Sequence, residues 1–371
     1  MSHNHQLSKK HSIDNILIVL FLILFCVLHI FQNIPSILVN GIIAFTGILC
    51  YLVVLLKYKF DNKWIVISFF AAFLMAISII VNGNASFFEI IWIFSFIGLA
   101  LLFENSNISS RTLLIIFLFV VGVFAIQAIL GIDPQDALNI GSGNNISTFV
   151  IFYALLLYIK RYDEGKGIIY WPAILSLVIS LWGNGRGGVL SCLVFIVALF
   201  LYDCLYNKKY KLSKIIRFAI ALMIFIFIVN RFFSQYITIF IQKLDRYGSN
   251  SIRTTIWKEY IDGALNNFDN LFLGVNTRDE RYRWLSFYAG NTHNAFLMAH
   301  AKFGLVGFGY IVCNILKSII IFLKKNSSFL VVIFIAWFLR SMLDWTGFPG
   351  IFDVMFWIFL IRSEKLRKGG N

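Results

Sequence analysis

Charged residues are scarce in this chain, 13% of 371, where a soluble domain carries about 25%. That shortage excludes an ordinary water-soluble globule. Proline falls to four residues, and no low-complexity linker or internal repeat divides the sequence. The five cysteines, Cys26, Cys50, Cys192, Cys204 and Cys313, sit in or beside apolar runs and form no CxxC pair, so neither a disulfide framework nor a zinc site is indicated. Short alternating strands are missing, which excludes an outer-membrane barrel. The N-terminal stretch has a basic front and an apolar run but no small-residue cleavage site, and reads as an uncleaved first span. No paired acidic motif of metal-ligand type is visible. His3 and His5 form an HxH that reads as a solvated tail.

What is present is hydrophobicity: 59% of the residues, with a mean hydropathy of +0.81. Apolar runs long enough to cross a bilayer recur from end to end, so the expected fold is all-α and polytopic, a single integral membrane domain over 1–371. About twelve spans are expected, near 15–31, 36–56, 64–81, 85–103, 112–130, 146–159, 168–183, 187–203, 214–230, 303–323, 329–345 and 350–361. Pro35 and the NGN at 82–84 mark tight turns.

The formal net charge of +14 would suggest nucleic acid in a soluble protein. Here the basic residues alternate between loops. Lys9 and Lys10, Lys57, Lys59 and Lys63, Arg111, Lys160, Arg161 and Lys166, Lys208 to Arg217, Lys317 to Lys325, and Arg362 to Lys368 fall on one side. The short loops of the other side hold only Arg186 and Arg340. The positive-inside rule then puts both termini on the cytoplasmic side, and nucleic acid is not needed to explain the charge. One long loop, 231–302 between spans nine and ten, carries several basic residues on the outer side. Long loops translocate largely regardless of charge, and this one offers room for a site built from helices.

The orientation gathers polar candidates on the outer face. Arg186 lies within SLWGNGRGGVL, where glycines would let backbone and guanidinium approach a bulky anion. The plain alternative is a loop arginine snorkelling to headgroups. In the long loop, 249–275 reads as a helix with Ser251 as N-cap. Arg253, Trp257 and Ile261 share its i, i+4, i+8 face, expected to pack onto the membrane domain, unless Arg253 is a surface charge. His293 and Asn294 directly precede an apolar helix, and His300 follows seven residues later as an interfacial residue. Arg340 and Asp344 fall one turn apart at the end of span eleven, as a site pair or as an ion pair easing burial. Asp353 lies inside span twelve or caps it. Trp284, Phe287 and Tyr288, within 276–290, suit either sugar stacking or interfacial anchoring.

Outside the cytoplasmic membrane an enzyme has no ATP or nucleotide sugar to draw on. A donor must arrive already activated through the bilayer, as a lipid-linked diphosphate does. Arginines could grip its phosphates bidentately and stabilise charge as the bond breaks, while a histidine orients and deprotonates an acceptor hydroxyl.

The order of motifs, NGRGG at the start of a span, then Arg253 and Trp257 followed by NLFLGV, then THNAFL with FGLVGFG, then a late R…D, resembles the O-antigen ligase and polymerase superfamily of bacterial envelope enzymes over roughly 180–360. NGR stands where SRG is commoner in that family. The resemblance implies a C-type membrane glycosyltransferase fold. It implies a metal-independent glycosyltransferase, without cofactor, acting at the periplasmic face on undecaprenyl-diphosphate-linked oligosaccharide. It further implies pyrophosphate binding at Arg186 and Arg253 and a catalytic histidine at His293. Asn294, Trp257, Arg340 and Asp344 are candidate substrate-binding residues, the last two less firmly placed by the family. Membrane lipid and a chain-length regulator are the candidate partners. A repeat-unit polymerase is favoured over a ligase transferring the glycan to lipid A–core. Two readings from other classes stand beside it: a lipid-linked oligosaccharide transporter and a non-catalytic partner of an export complex. A transporter would favour charges near the bilayer midplane, where Glu89 is one of very few candidates.

Overall fold

A computed structural model of the chain describes residues 2–30, 34–58, 61–139, 142–206 and 252–369, with isolated positions between 216 and 242. The described residues are helical and include no strand. In chain order the helices are α1 (Ser2–Ile30), α2 (Ser36–Lys57), α3 (Lys63–Val81), α4 (Phe87–Asn105), α5 (Ser110–Ile129), α6 (Asn144–Asp163), α7 (Trp171–Trp182) and α8 (Arg186–Tyr206). After the gap come α9 (Ile252–Leu265), α10 (Phe268–Leu273), α11 (Arg283–Phe287), α12 (Ala295–Lys324), α13 (Ser328–Met342) and α14 (Asp353–Lys368). Among the described residues seven helices, α1 to α5, α8 and α12, are long and apolar enough to cross a membrane, and α7 and α13 are shorter apolar helices. The protein is a polytopic helical membrane protein. The ninth expected span, 214–230, and the start of the long loop lie outside the described residues.

Two compact units divide the chain. The first comprises 1–109, 250–328 and 341–371. Its tightest pairing is α2 on α4, where small residues let the backbones close. A Cβ on Gly47 would lie 2.2 Å from that of Ser95, and one on Gly98 would lie 2.6 Å from that of Tyr51. Where α2 and α4 end and α3 begins, basic residues meet acids: Lys57 with Asp14 at 2.6 Å, Arg362 with Glu104 at 2.7 Å, Lys368 with Asp61 at 3.1 Å, and Lys63 with Glu364. Four of the basic residues assigned to one side by loop charge are therefore partnered there with carboxylates.

α12 starts eight residues before the expected span ten, because it joins two helical pieces across Gly304 (φ 64°, ψ −172°). A Cβ at Gly304 would fall 2.2 Å from the Phe272 carbonyl oxygen, so only glycine fits this bend. At the start of α14, Asp353 accepts hydrogen bonds from the Phe348 amide (2.7 Å) and the Gly350 amide (3.1 Å), fixing the preceding turn. It is the first residue of its helix, not a mid-span charge.

The second unit comprises 110–249 and 329–340. α6 is buried along its whole apolar length, and α5, α7 and α8 pack around it. Gly188 lies against Ser147, where a Cβ would meet the hydroxyl at 2.1 Å, which explains one glycine of the NGRGG run as a helix-packing contact. Phe329 contacts the rings of Tyr158, Tyr162 and Tyr202. Glu164, just past α6, binds the Ser110 amide at 2.7 Å and Lys166 at 2.6 Å. Burial raises its pKa, but hydrogen bonds from Lys166 and from the hydroxyl and amide of Ser110 outweigh that and hold it at about 2.

Candidate functional site

The site grows from the helix α9. Its buried residues, Ile256, Tyr260, Gly263 and Ala264, recur at helical spacing, and Ile256, Tyr260 and Ala264 sink into a cluster with Val275, Leu285, Met298 and Ala301. Trp257 packs on the edge of that cluster. Ile261, expected on the buried face with Arg253 and Trp257, is instead exposed. A strict i+4 series rotates by about 40° per step, so the third member leaves the buried stripe. Ser251, the expected N-cap, lies outside the described residues.

Burial of this face aims Arg253 at the segment that follows α13. Its guanidinium donates to the Leu343 carbonyl and lies 3.8 Å from Asp344. The same carboxylate approaches His293 Nδ1 at 3.4 Å and accepts from the Trp345 amide at 3.0 Å. Asp344 is buried, while Arg253 and His293 keep side-chain exposures of 19% and 17%, enough for a ligand to reach them.

The turn carrying His293 is held on all sides. His293 adopts φ 48°, uncommon outside glycine. Its amide donates to Asn291 Oδ1 at 2.7 Å, and the Thr292 hydroxyl donates to the Asn294 carbonyl at 2.8 Å. Asn294 is the N-cap of α12, its side-chain oxygen accepting from the amides of Phe296 and Leu297. Trp257 Nε1 donates to the Thr292 carbonyl at 3.0 Å, tying α9 to the turn. The Tyr288 ring meets the imidazole edge-on at 5.3 Å. Asn294 and Trp257 are thus engaged in building the site, and Arg253, His293 and Asp344 form its polar centre.

With Nδ1 turned to a carboxylate, the imidazole favours the tautomer carrying the proton there, which leaves a lone pair on Nε2. Among the described residues no hydrogen bond engages Nε2 at this turn. Such an arrangement can take a proton from a hydroxyl. The contact is long, as catalytic hydrogen bonds often are before substrate closes them. Arg253 adds a planar cation suited to phosphate or carboxylate oxygens.

His300 has a different place. It is buried, its Nε2 lies 2.8 Å from the Leu271 carbonyl, and its Nδ1 lies 2.7 Å from the Tyr260 hydroxyl. A carbonyl can only accept, so Nε2 donates and Nδ1 accepts from Tyr260. Burial pushes the pKa of that phenol up. His300 is a structural pin rather than an interfacial residue.

Two residues beside the site were not joined to it, or to each other, by the sequence. Lys302, counted with the long outer loop, is buried in α12 and pairs with Glu89 at 2.5 Å. Its ammonium stands 4.3 Å from the centre of the Trp345 ring, next to Asp344. Glu89 is the N3 residue of a capping box with Ser86. The intramembrane carboxylate noted in the sequence is thus one half of an ion pair.

Arg186 and Arg340 belong to the second unit. Arg186 opens α8 after Asn184, which takes φ 54°, and is half-buried. Arg340 is fully buried and donates to the Asn144 carbonyl at 2.9 Å. A Cβ on Gly185 would fall 2.9 Å from the Asn144 side chain, so the NGRGG turn and Arg340 both meet the start of α6. α13 ends at Met342, so Asp344 lies beyond the helix and the one-turn spacing expected between it and Arg340 does not hold. Among the described residues no group of three or more His, Cys, Asp or Glu side chains could hold a metal ion.

Residues 171–312 match the O-antigen ligase family model. The matched stretch includes Arg186, Arg253, Trp257, His293 and Asn294, and bears out the superfamily resemblance read from the motifs. The chain is also similar to an uncharacterized protein of Haemophilus influenzae, 25% identical over 342 residues that cover 84% of this chain and 85% of the relative. No solved structure matches.

Proposed function

We propose that this protein is a glycosyltransferase of the bacterial inner membrane that transfers glycan from an undecaprenyl-diphosphate carrier at the periplasmic face. The observation that carries the reading is the meeting of Arg253, His293 and Asp344 inside and just beyond the O-antigen ligase match. An acceptor sugar hydroxyl gives its proton to His293 Nε2 while its oxygen attacks the anomeric carbon of the donor. The bond from that carbon to the carrier phosphate breaks, and the pyrophosphate leaves with the bonding pair. Asp344 orients the imidazole and stabilises its charged form. Arg253 holds the departing diphosphate, and Arg186 is proposed as a further phosphate ligand. No metal or cofactor takes part in this scheme.

The loop charge pattern supports cytoplasmic termini and a periplasmic site. Repeat-unit polymerisation is the favoured activity, and transfer to lipid A–core is the second reading. A chain-length regulator is a candidate partner. The experiment is a deletion strain complemented with wild type, Arg253→Ala, Arg186→Ala or His293→Ala. Its surface polysaccharide is resolved on a gel, with membrane protein levels measured in parallel. A single repeat unit left on the core identifies a polymerase. Bare core with long lipid-linked chains identifies a ligase. Unchanged polysaccharide in the deletion strain, or full activity in purified His293→Ala, would overturn the proposal.

A further inference from the structure

α9 and α10 carry an apolar surface that the site does not use. On α9, Ile261 and Leu265 are one turn apart and 45% and 69% exposed. On α10, Phe268 and Phe272 are one turn apart, 70% and 40% exposed, with ring centres 4.4 Å apart. Four large apolar side chains within twelve residues form a patch that a segment bathed in water would not keep.

The patch joins a surface already assigned to lipid. Asn82, the residue ending α3, donates to the carbonyls of Leu273 and Gly274, both at 2.8 Å. The last turn of α3 exposes Ile80 and Val81, so its bare apolar strip runs up to the point where α10 is tied on. The Phe272 carbonyl also sits against Gly304, the bend in α12, and Val306 just beyond is exposed. α10 therefore docks where two membrane-crossing helices meet its level, with its phenylalanines extending their lipid-facing surface.

Along α9 the i+4 series Arg253, Trp257, Ile261, Leu265 passes from charged to aromatic to apolar. Twelve residues of helix cover about 18 Å, roughly the depth of a headgroup layer plus the upper acyl chains. We infer that the α9–α10 elbow is a membrane anchor that dips into the outer leaflet, so that its apolar tip, Ile261, Leu265, Phe268 and Phe272, rests among the acyl chains. Bilayer lipid, rather than a second protein, is its occupant. The anchor rests on the proposed function only in its use: it would hold Arg253 at the depth of a carrier's phosphates.

The test is depth measurement on the full chain in phosphatidylethanolamine–phosphatidylglycerol vesicles, in a Cys313→Ala background because Cys313 is the exposed cysteine. Leu265→Cys, Phe268→Cys and, as an aqueous reference, Glu280→Cys each carry a nitroxide. Leu265 and Phe268 labels should relax several-fold faster with oxygen than with a water-soluble nickel chelate, and Glu280 should show the reverse. Labels at 265 and 268 that match Glu280 would overturn the anchor. Labels shielded from both reagents and broadened by spin–spin coupling would also overturn it, in favour of a second copy. Glycan transfer plays no part in these readouts, so an inactive enzyme could still be anchored, and an active one could prove unanchored.

Discussion

Replacing Glu89 by glutamine should strand Lys302 in the interior. The pair is 2.5 Å apart, with side-chain exposures of 2% for Lys302 and 11% for Glu89. At an effective dielectric near 20 the gross attraction at that distance is about 7 kcal/mol, most of it offset by the cost of removing both charges from water. What mutation measures is the penalty of leaving one charge behind, about 3–5 kcal/mol. Glutamine isolates this term, because its amide oxygen can still accept from the Ser86 amide as Glu89 does at 2.9 Å. The double variant Glu89→Gln/Lys302→Met removes both charges and keeps the volume, so it should return to within about 1 kcal/mol of wild type. Unfolding in a graded SDS–detergent mixture, followed by tryptophan fluorescence, gives all three values. If Glu89→Gln is neutral, or if the double variant is as unstable as the single one, the ion pair is not a coupled unit and the reasoning fails. Because Lys302 also faces the Trp345 ring beside Asp344, the single variant should lose activity as well as stability.

Other substitutions probe separate links. Asp344→Asn should lower glycan transfer by roughly 100-fold or more with membrane levels unchanged, and wild-type rates in proteoliposomes would remove Asp344 from the mechanism. Arg253→Lys should rescue Arg253→Ala poorly, since a point charge lacks the planar fork; full rescue in the same assay would show that charge alone suffices. Gly304→Ala should destabilise by at least about 1–3 kcal/mol from backbone strain alone, because the new Cβ also collides with the Phe272 carbonyl; an unchanged melting temperature in detergent would contradict the bend. Glu164 has a depressed carboxyl in the folded chain, about 2 against an ordinary 4.5. Its contribution is therefore complete above about pH 4.5 and disappears as pH falls through about 2. Glu164→Gln should flatten melting temperature across that window, and curves that stay parallel would refute the assignment.

The membrane spans were legible because apolar run length is a local property. Helices were expected near 36–56 and 64–81, and α2 and α3 occupy Ser36–Lys57 and Lys63–Val81. The start of α12 was not legible: Asn294 caps it eight residues early, and the run reads as a span only beyond the bend at Gly304. For the site, residue chemistry singled out Arg253, His293 and Asp344 one by one. Their meeting could not be read, because His293 and Asp344 are 51 residues apart and no spacing rule links them. The Lys302–Glu89 pair was hidden for the same reason, with 213 residues between its members. Ile261 went astray because a single helical stripe, without knowledge of its partner surface, leaves the phase of burial open.

Asn84, in the turn between α3 and α4, offers its amide to the carbonyls of Val275 and Ala301 and its oxygen to the amide and hydroxyl of Thr277. One side chain thereby satisfies backbone from two stretches synthesised 191 and 217 residues after it. The polar half of this knot cannot exist until the chain has left the ribosome as far as Ala301. Cutting out 252–294 for expression as a soluble fragment would take away its buried hydrogen-bond partners and its floor together. A fragment carrying 252–294 will be informative only if the turn that bears Asn84 travels with it.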